Sequence, residues 1–173
     1  MTLKSMSRTL LAGVVLSMAA PACAVHPPSN VEEASRPMRE QDAEIFFRQW
    51  LAMIDAKAPL DDYLKYLPDG EFEQWSYTNA EIKNVEELRA YFEANWGAIK
   101  QNTNTVRTLK TNQLESGRIE IIAYVDWTAI TAEDQTISMP LTYTLTVGPG
   151  ASSDDPDGVH PKIYRYAIRR SES

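Results

Sequence analysis

The sequence predicts an α+β domain, with helices laid down first and an antiparallel sheet after them. Two observations carry this. From about residue 38 to 100 the apolar residues recur at helical spacing, whereas after Lys100 they alternate with polar ones. The two patterns do not interleave, so the chain is not built from βα units, and the helices must cover one face of the sheet.

The first helix starts between Pro37 and Asp42 and runs through AEIFFRQWLAMIDA. Phe47, Trp50, Leu51 and Ile54 form one stripe there, with Phe46 and Met53 beside it. Pro59 interrupts it and opens a short second helix, PLDDYLKYL, at a position where a missing N–H costs nothing. A Pro68-Asp69-Gly70 turn precedes EFEQW, which reads as a short strand. The third helix has Asn84 as N-cap and Glu87 three residues on. Val85, Leu88, Phe92 and Ile99 share one of its faces, with Trp96 next to them. Strands are then expected at about 104–114, 118–130, 137–147 and 162–170, joined at ESG, at TAEDQT and by the acidic loop GPGASSDDPDGVHP.

Residues 1–24 read as an export signal. Lys4 and Arg8 make a positive start, Leu10 to Ala20 an apolar stretch, and Ala22-Cys23-Ala24 the small residues of a cleavage site. The stretch is shorter than the ~18–20 residues that span a bilayer. A lipobox has Leu three places before its Cys, where Ala20 stands, so cleavage after Ala24 is expected over lipid anchoring through Cys23. The expected location is the periplasm or beyond. Residues 25–37, with two adjacent prolines, read as a tether, and 38–173 as one domain. Cleavage removes the single cysteine and leaves 15 basic residues against 24 acidic ones. Such a charge disfavours nucleic acid and anionic membrane surfaces as partners, and without thiols no disulfide or cysteine nucleophile is available.

A helix ending near MIDA, a short helix, a strand like EFEQW, a helix opened by NVEELRAYF and long strands ending in IYRYAIRRS resemble the nuclear transport factor 2-like superfamily, including its SnoaL-like and ketosteroid-isomerase-like branches. The resemblance covers about residues 38 to 171. It implies a cone in which a curved sheet wraps around three helices and encloses a pocket, and pairing of two copies through the outer sheet face. The chain departs from the pattern at Asn84, where members often carry Gly, and at Arg169-Arg170, where they often carry His.

Asp126, inside IIAYVDWTAI, is the carboxylate whose direction matters most. Side chains alternate along a strand, and residues 119 to 129 are apolar at every odd position. The next strand repeats this with Met139, Leu141, Tyr143, Leu145 and Val147. Facing odd with odd puts Trp127 opposite Leu141 and Asp126 opposite Thr142. Asp126 then lies on the outer face near Tyr124, with Arg165 or Arg169 as an ion partner. Only a reversed register would place Asp126 and Tyr124 in the pocket as proton-transfer groups.

His26 and His160 fall in the tether and the acidic loop, so neither a histidine-based acid/base pair nor a histidine metal site is expected. Asp155, Asp157 and Gly158 fit positions three, five and six of a calcium loop, but Ser153 and Tyr164 occupy positions one and twelve. No metal or cofactor is expected, and the loop reads as solvated. The aromatic residues Trp50, Trp75, Trp127, Tyr143, Tyr164 and Tyr166 are the expected pocket lining, able to hold a flat apolar ligand. The leading expectation is a secreted, non-catalytic binding or accessory module. The alternatives are a cofactor-independent lyase or isomerase for a small hydrophobic carbonyl compound, and a partner-recognition domain using the outer sheet face.

Overall fold

The structure, a computed structural model, describes residues 37–69, 72–76 and 81–171. The expected signal segment, and the tether up to residue 36, lie outside the described residues.

Helix α1 (Glu40–Asp55) buries Ala43, Phe46, Phe47, Trp50 and Leu51, the spacing of an amphipathic helix with one face on a core. At its end Lys57 takes a left-handed backbone conformation (φ 52°). One turn, α2 (Asp61–Leu64), follows, and then α3 (Val85–Ala98). Asn84 caps α3 as expected: its Oδ1 accepts the Glu87 N–H at 2.8 Å, while Glu87 Oε2 accepts the Lys83 N–H at 2.8 Å. A cap of this kind contributes about 1 kcal/mol. Only Leu88 and Phe92 of α3 are buried, which leaves Tyr91, Asn95 and Trp96 half-buried along one side of it.

Among the described residues six strands form one sheet: β1 (Glu73–Trp75), β2 (Glu81–Ile82), β3 (Ile99–Gln113), β4 (Ile119–Thr131), β5 (Thr136–Gly148) and β6 (Lys162–Arg170), in the order β2-β1-β6-β5-β4-β3. Two features differ from the expected antiparallel sheet. The two-residue β2 is too short to show alternation in a sequence. Strand β1 runs parallel to β6, a direction that no hairpin constrains because α3 and three long strands separate the pair. Irregularities at Ile99/Gln101, Val106/Thr108 and Thr146/Val147 interrupt the ladders, and such bulges bend a sheet and increase its twist.

The face expected to be buried is buried. Ile119, Ile121, Ala123 and Val125 of β4 are at most 1% exposed, with Leu141, Tyr143 and Leu145 beside them on β5. The register of this hairpin, however, differs by two residues from the expected one: Trp127 pairs with Met139 and Asp126 with Pro140. The turn causes this. Thr131 N–H reaches the Gln135 carbonyl, Thr131 Oγ1 accepts the N–H groups of Glu133 and Gln135, and Asp134 adopts φ 63°. An even shift preserves the side-chain faces. Asp126 therefore points outward, but its ion partner is Arg107 rather than Arg165 or Arg169. The bulge at Val106/Thr108 takes Arg107 out of the ladder and frees it to reach across.

The acidic loop is less solvated than expected. Asp155 accepts hydrogen bonds from Lys162 Nζ at 2.6 Å and from the His160 N–H at 2.9 Å, and Lys162 Nζ also donates to the Lys65 carbonyl at 2.6 Å. Lys162 is 0% exposed. Asp69, accepting from Ser153 N–H and Oγ, ties the loop tip to the end of the α2 region. No helix among the described residues is long and apolar enough to cross a membrane.

Candidate ligand-binding cavity

Between α1, α3 and the inner sheet face lies a cavity of about 60 Å³, several times the ~10–15 Å³ that one water needs. Trp127, Leu141, Tyr143, Tyr166 and Ile168 form its sheet wall, and Tyr91, Phe92 and Trp96 its helical wall. Half-buried Tyr91, Asn95, Trp96, Ile99 and Trp127 mark its mouth.

The last turn of α1 sets this geometry. An acidic residue at a helix C-terminus opposes the macrodipole, so Asp55 must have a tertiary reason for its place, and it has one. Its carboxylate accepts Asn102 Nδ2–H at 3.1 Å, the Asn104 N–H at 3.1 Å and Asn104 Nδ2–H at 2.7 Å. Each asparagine then presents its Oδ1 toward the sheet wall, Asn102 to Trp127 Nε1–H and Asn104 to the Tyr143 hydroxyl at 3.0 Å. Burial raises the Asp55 carboxyl above its ordinary range, and the bonds from Asn104 and Asn102 oppose the rise. Two residues later Lys57 Nζ donates to the carbonyls of Trp96 (2.7 Å) and Ile99. Trp96 Nε1–H meets the Ala58 carbonyl at 3.1 Å. The segment 54–58 thus holds both α3 and β3 in place around the mouth.

Of the aromatic residues expected at the pocket, Trp127, Tyr143 and Tyr166 line this cavity. Trp50 lines a smaller adjoining hollow with Tyr63 and Phe72. Trp75 and Tyr164 are elsewhere. Trp75 pairs with Ala167 and lies under the Arg165 guanidinium, because Gln74, not Trp75, shares the inner face with Tyr166. Phe72 and Trp75 stand three residues apart, an odd separation that cannot put both on one strand face. Tyr164 is carried outward by the bulge opposite Thr146/Val147, where Arg118 stacks on its ring at 3.4 Å and its hydroxyl donates to the Pro149 carbonyl. Asp55, Asn102 and Asn104 were not expected in the site. The mismatch of Asp55 with the helix dipole was the one signal available.

No protein-family model matches the sequence, and no curated protein matches it. Solved structures do match the fold. A scytalone dehydratase-like protein of Novosphingobium aromaticivorans aligns over 76% of this chain and 83% of its own at 13% identity, with a TM-score of 0.61. The LinA-type3 hexachlorocyclohexane dehydrochlorinase of Novosphingobium barchaimii aligns over 75% and 84% at 15% identity, with a TM-score of 0.58. The chain has the nuclear transport factor 2-like fold. A CaMKII hub from S. rosetta is similar over 79% of this chain and the whole of the hub, at 10% identity and a TM-score of 0.59. Identities this low establish the nuclear transport factor 2-like architecture alone. Within it, the cavity occupies the interior of the cone, and Asp126 and Tyr124 lie on the opposite, outer face.

That outer position makes Asp126 expendable. Its ion pair with Arg107 is more than a third exposed on both sides, and pairs of this kind contribute about 0–1 kcal/mol. Asp126→Asn is therefore expected to shift urea-unfolding stability by less than about 1 kcal/mol and to leave any ligand affinity unchanged. A large loss of affinity with the fold intact would place Asp126 in the working site. Among the described residues no three His, Cys, Asp or Glu side chains come together to hold a metal ion.

Proposed function

We propose that this chain binds a small, mostly apolar and ring-containing molecule in the interior of the cone, without chemistry on it. The observation that carries the reading is the aromatic cavity held open by the Asp55–asparagine network. A cavity of this size would collapse or fill if packing were its only purpose, whereas here two hydrogen-bond relays fix the orientation of Trp127 and Tyr143. The lining supports binding over catalysis. Its described residues include no carboxylate, imidazole or amine, Asp55 commits its oxygens to Asn102 and Asn104, and burial pushes the Tyr143 hydroxyl up so that it stays protonated. Export to the periplasm, expected from the first 24 residues, is part of the same proposal.

Calorimetric titration with acetophenone, a single-ring probe, tests the reading. Saturable binding of one probe per chain, weakened about tenfold or more by Trp127→Ala, is expected. Heat indistinguishable from dilution up to millimolar probe would remove the reading.

A second proposal concerns the outer sheet face, where Tyr124 is 44% exposed beside Thr142, Thr144 and Ala167. With a hub among the similar structures, this face is our choice for self-association. Sedimentation at micromolar concentration is expected to give two chains, and a monomer would rule the face out as a dimer surface.

A further inference from the structure

The cavity does not end at its aromatic walls. Gln74, Phe92 and Tyr166 line both it and the smaller hollow behind it. That hollow has about 10 Å³ of room, enough for a single oxygen-sized group and nothing larger. Four polar side chains face it: Trp50, Tyr63, Gln74 and Tyr166, which are 4, 0, 5 and 6% exposed. Trp50 Nε1–H and the Tyr63 hydroxyl, both fully enclosed, have no hydrogen-bond partner among the described residues. The Trp50 N–H lies toward the Tyr166 oxygen without reaching it in hydrogen-bond geometry, and Gln74 lines the hollow beside them.

Buried donors without partners are rare in native proteins, and each one calls for an explanation. Here two of them converge on one small space that opens into a larger apolar one. Core packing does not account for this arrangement, since phenylalanine or leucine would fill the same volumes without the cost of desolvation.

We propose that this inner hollow is a hydrogen-bonding subsite for a neutral acceptor oxygen, such as a ketone, aldehyde or ether, carried by the ligand whose apolar body fills the main cavity. The inference rests on the binding reading above and adds the ligand's polarity and orientation. The donor surplus selects an acceptor: an indole N–H can only donate, and burial pushes the hydroxyls of Tyr63 and Tyr166 up, so both keep their protons. It also selects a neutral group. Glu73, the one charged residue among the described lining, turns its side chain out to solvent and Arg165, so a carboxylate ligand would be buried in the hollow with no cation to pair with.

Acetophenone and ethylbenzene share a carbon skeleton and differ by one oxygen, so their affinities, measured by calorimetry on the full chain, isolate the subsite. Acetophenone is expected to bind about tenfold or more tightly than ethylbenzene. Tyr63→Phe and Gln74→Leu should each cut that ratio severalfold while leaving ethylbenzene affinity unchanged. Tyr63→Phe removes only an unpartnered oxygen, so its stability to urea should equal or exceed the wild type. A loss of stability in this variant would mark a structural role and overturn the subsite. If both probes bind within twofold of each other, the cavity binds ligands but the hollow is not a subsite for them. If neither binds, the binding reading fails and the subsite with it.

Discussion

Replacing Lys162 by methionine is expected to destabilise the protein by about 3–5 kcal/mol, as when one partner of a buried ion pair is removed. The ammonium is fully enclosed, 2.6 Å from Asp155 Oδ2 and 2.6 Å from the Lys65 carbonyl. Methionine fills most of the volume but leaves the Asp155 carboxylate buried without its counter-charge. The damage should extend to the tie between the 149–161 loop and the α2 region, because Lys162 and the Ile163 N–H (2.7 Å from the Tyr66 carbonyl) together make that tie. Urea unfolding followed by tryptophan fluorescence measures the loss. Adding Asp155→Leu to the variant should recover part of it by removing the orphaned charge. Full recovery is not expected, because Asp155 also holds the N–H groups of Val159 and His160.

The same pair shapes the acid limb of stability. Burial alone would raise the Asp155 carboxyl, but the hydrogen bond from Lys162, those from His160 and the Lys162 charge outweigh it and hold it at about 2. An unfolded aspartate titrates near ~3.9. A depressed folded pKa gives stability that is complete above the unfolded value and is lost as pH falls through the folded one. About 2–3 kcal/mol should therefore disappear between roughly pH 4 and pH 2. Asp55 acts with the opposite sign, since its raised carboxyl takes up a proton first in the folded state and makes acid less harmful. The Lys162→Met/Asp155→Leu protein should accordingly show a shallower acid limb than the wild type.

The second large effect is expected at Asp55. Asp55→Ala leaves three N–H donors of Asn102 and Asn104 without their acceptor, a cost of about 2–4 kcal/mol for partly buried groups. It should also reduce ligand affinity, although Asp55 does not line the cavity. Freed from the carboxylate, the Asn104 amide can turn over and Asn102 keeps only its 3.3 Å bond to the Ile54 carbonyl, so Tyr143 and Trp127 lose firmly held hydrogen-bond acceptors. Asp55→Asn keeps the shape and one acceptor oxygen, so it should fall between wild type and alanine in both stability and affinity. An alanine variant with full affinity and full stability would contradict the relay.

How far the sequence revealed this arrangement depended on how local each determinant was. The inner face of β4 and β5 was legible because a strand with one face on a core repeats its apolar residues every second position, and an error of two residues in register left that parity intact. The Asn84 cap was legible because its partner lies three residues away. Trp75 and Tyr164 were misplaced because a three-residue strand and a bulge each break the alternation on which face assignment depends. Arg107 as the partner of Asp126 was hidden by a second bulge. The Asp55 relay joins residues some 47 to 49 positions apart, and the parallel pairing of β1 with β6 spans a greater distance still. Neither leaves a periodic trace. The convergence of Trp50, Tyr63, Gln74 and Tyr166 needs two helices and two strands in place before it exists.

The chain's four tryptophans offer the most direct test of a ligand inside the cone. Each indole N–H gives one resonance in a ¹⁵N correlation spectrum, and their positions differ usefully. Trp96 and Trp127 line the cavity, Trp50 lines the inner hollow, and Trp75 lies outside under Arg165. On titration with acetophenone, the Trp50, Trp96 and Trp127 signals should move together with one dissociation constant while Trp75 stays still. Movement of Trp75 alone, or of none of the four at saturating probe, would contradict a ligand site in the interior of this fold.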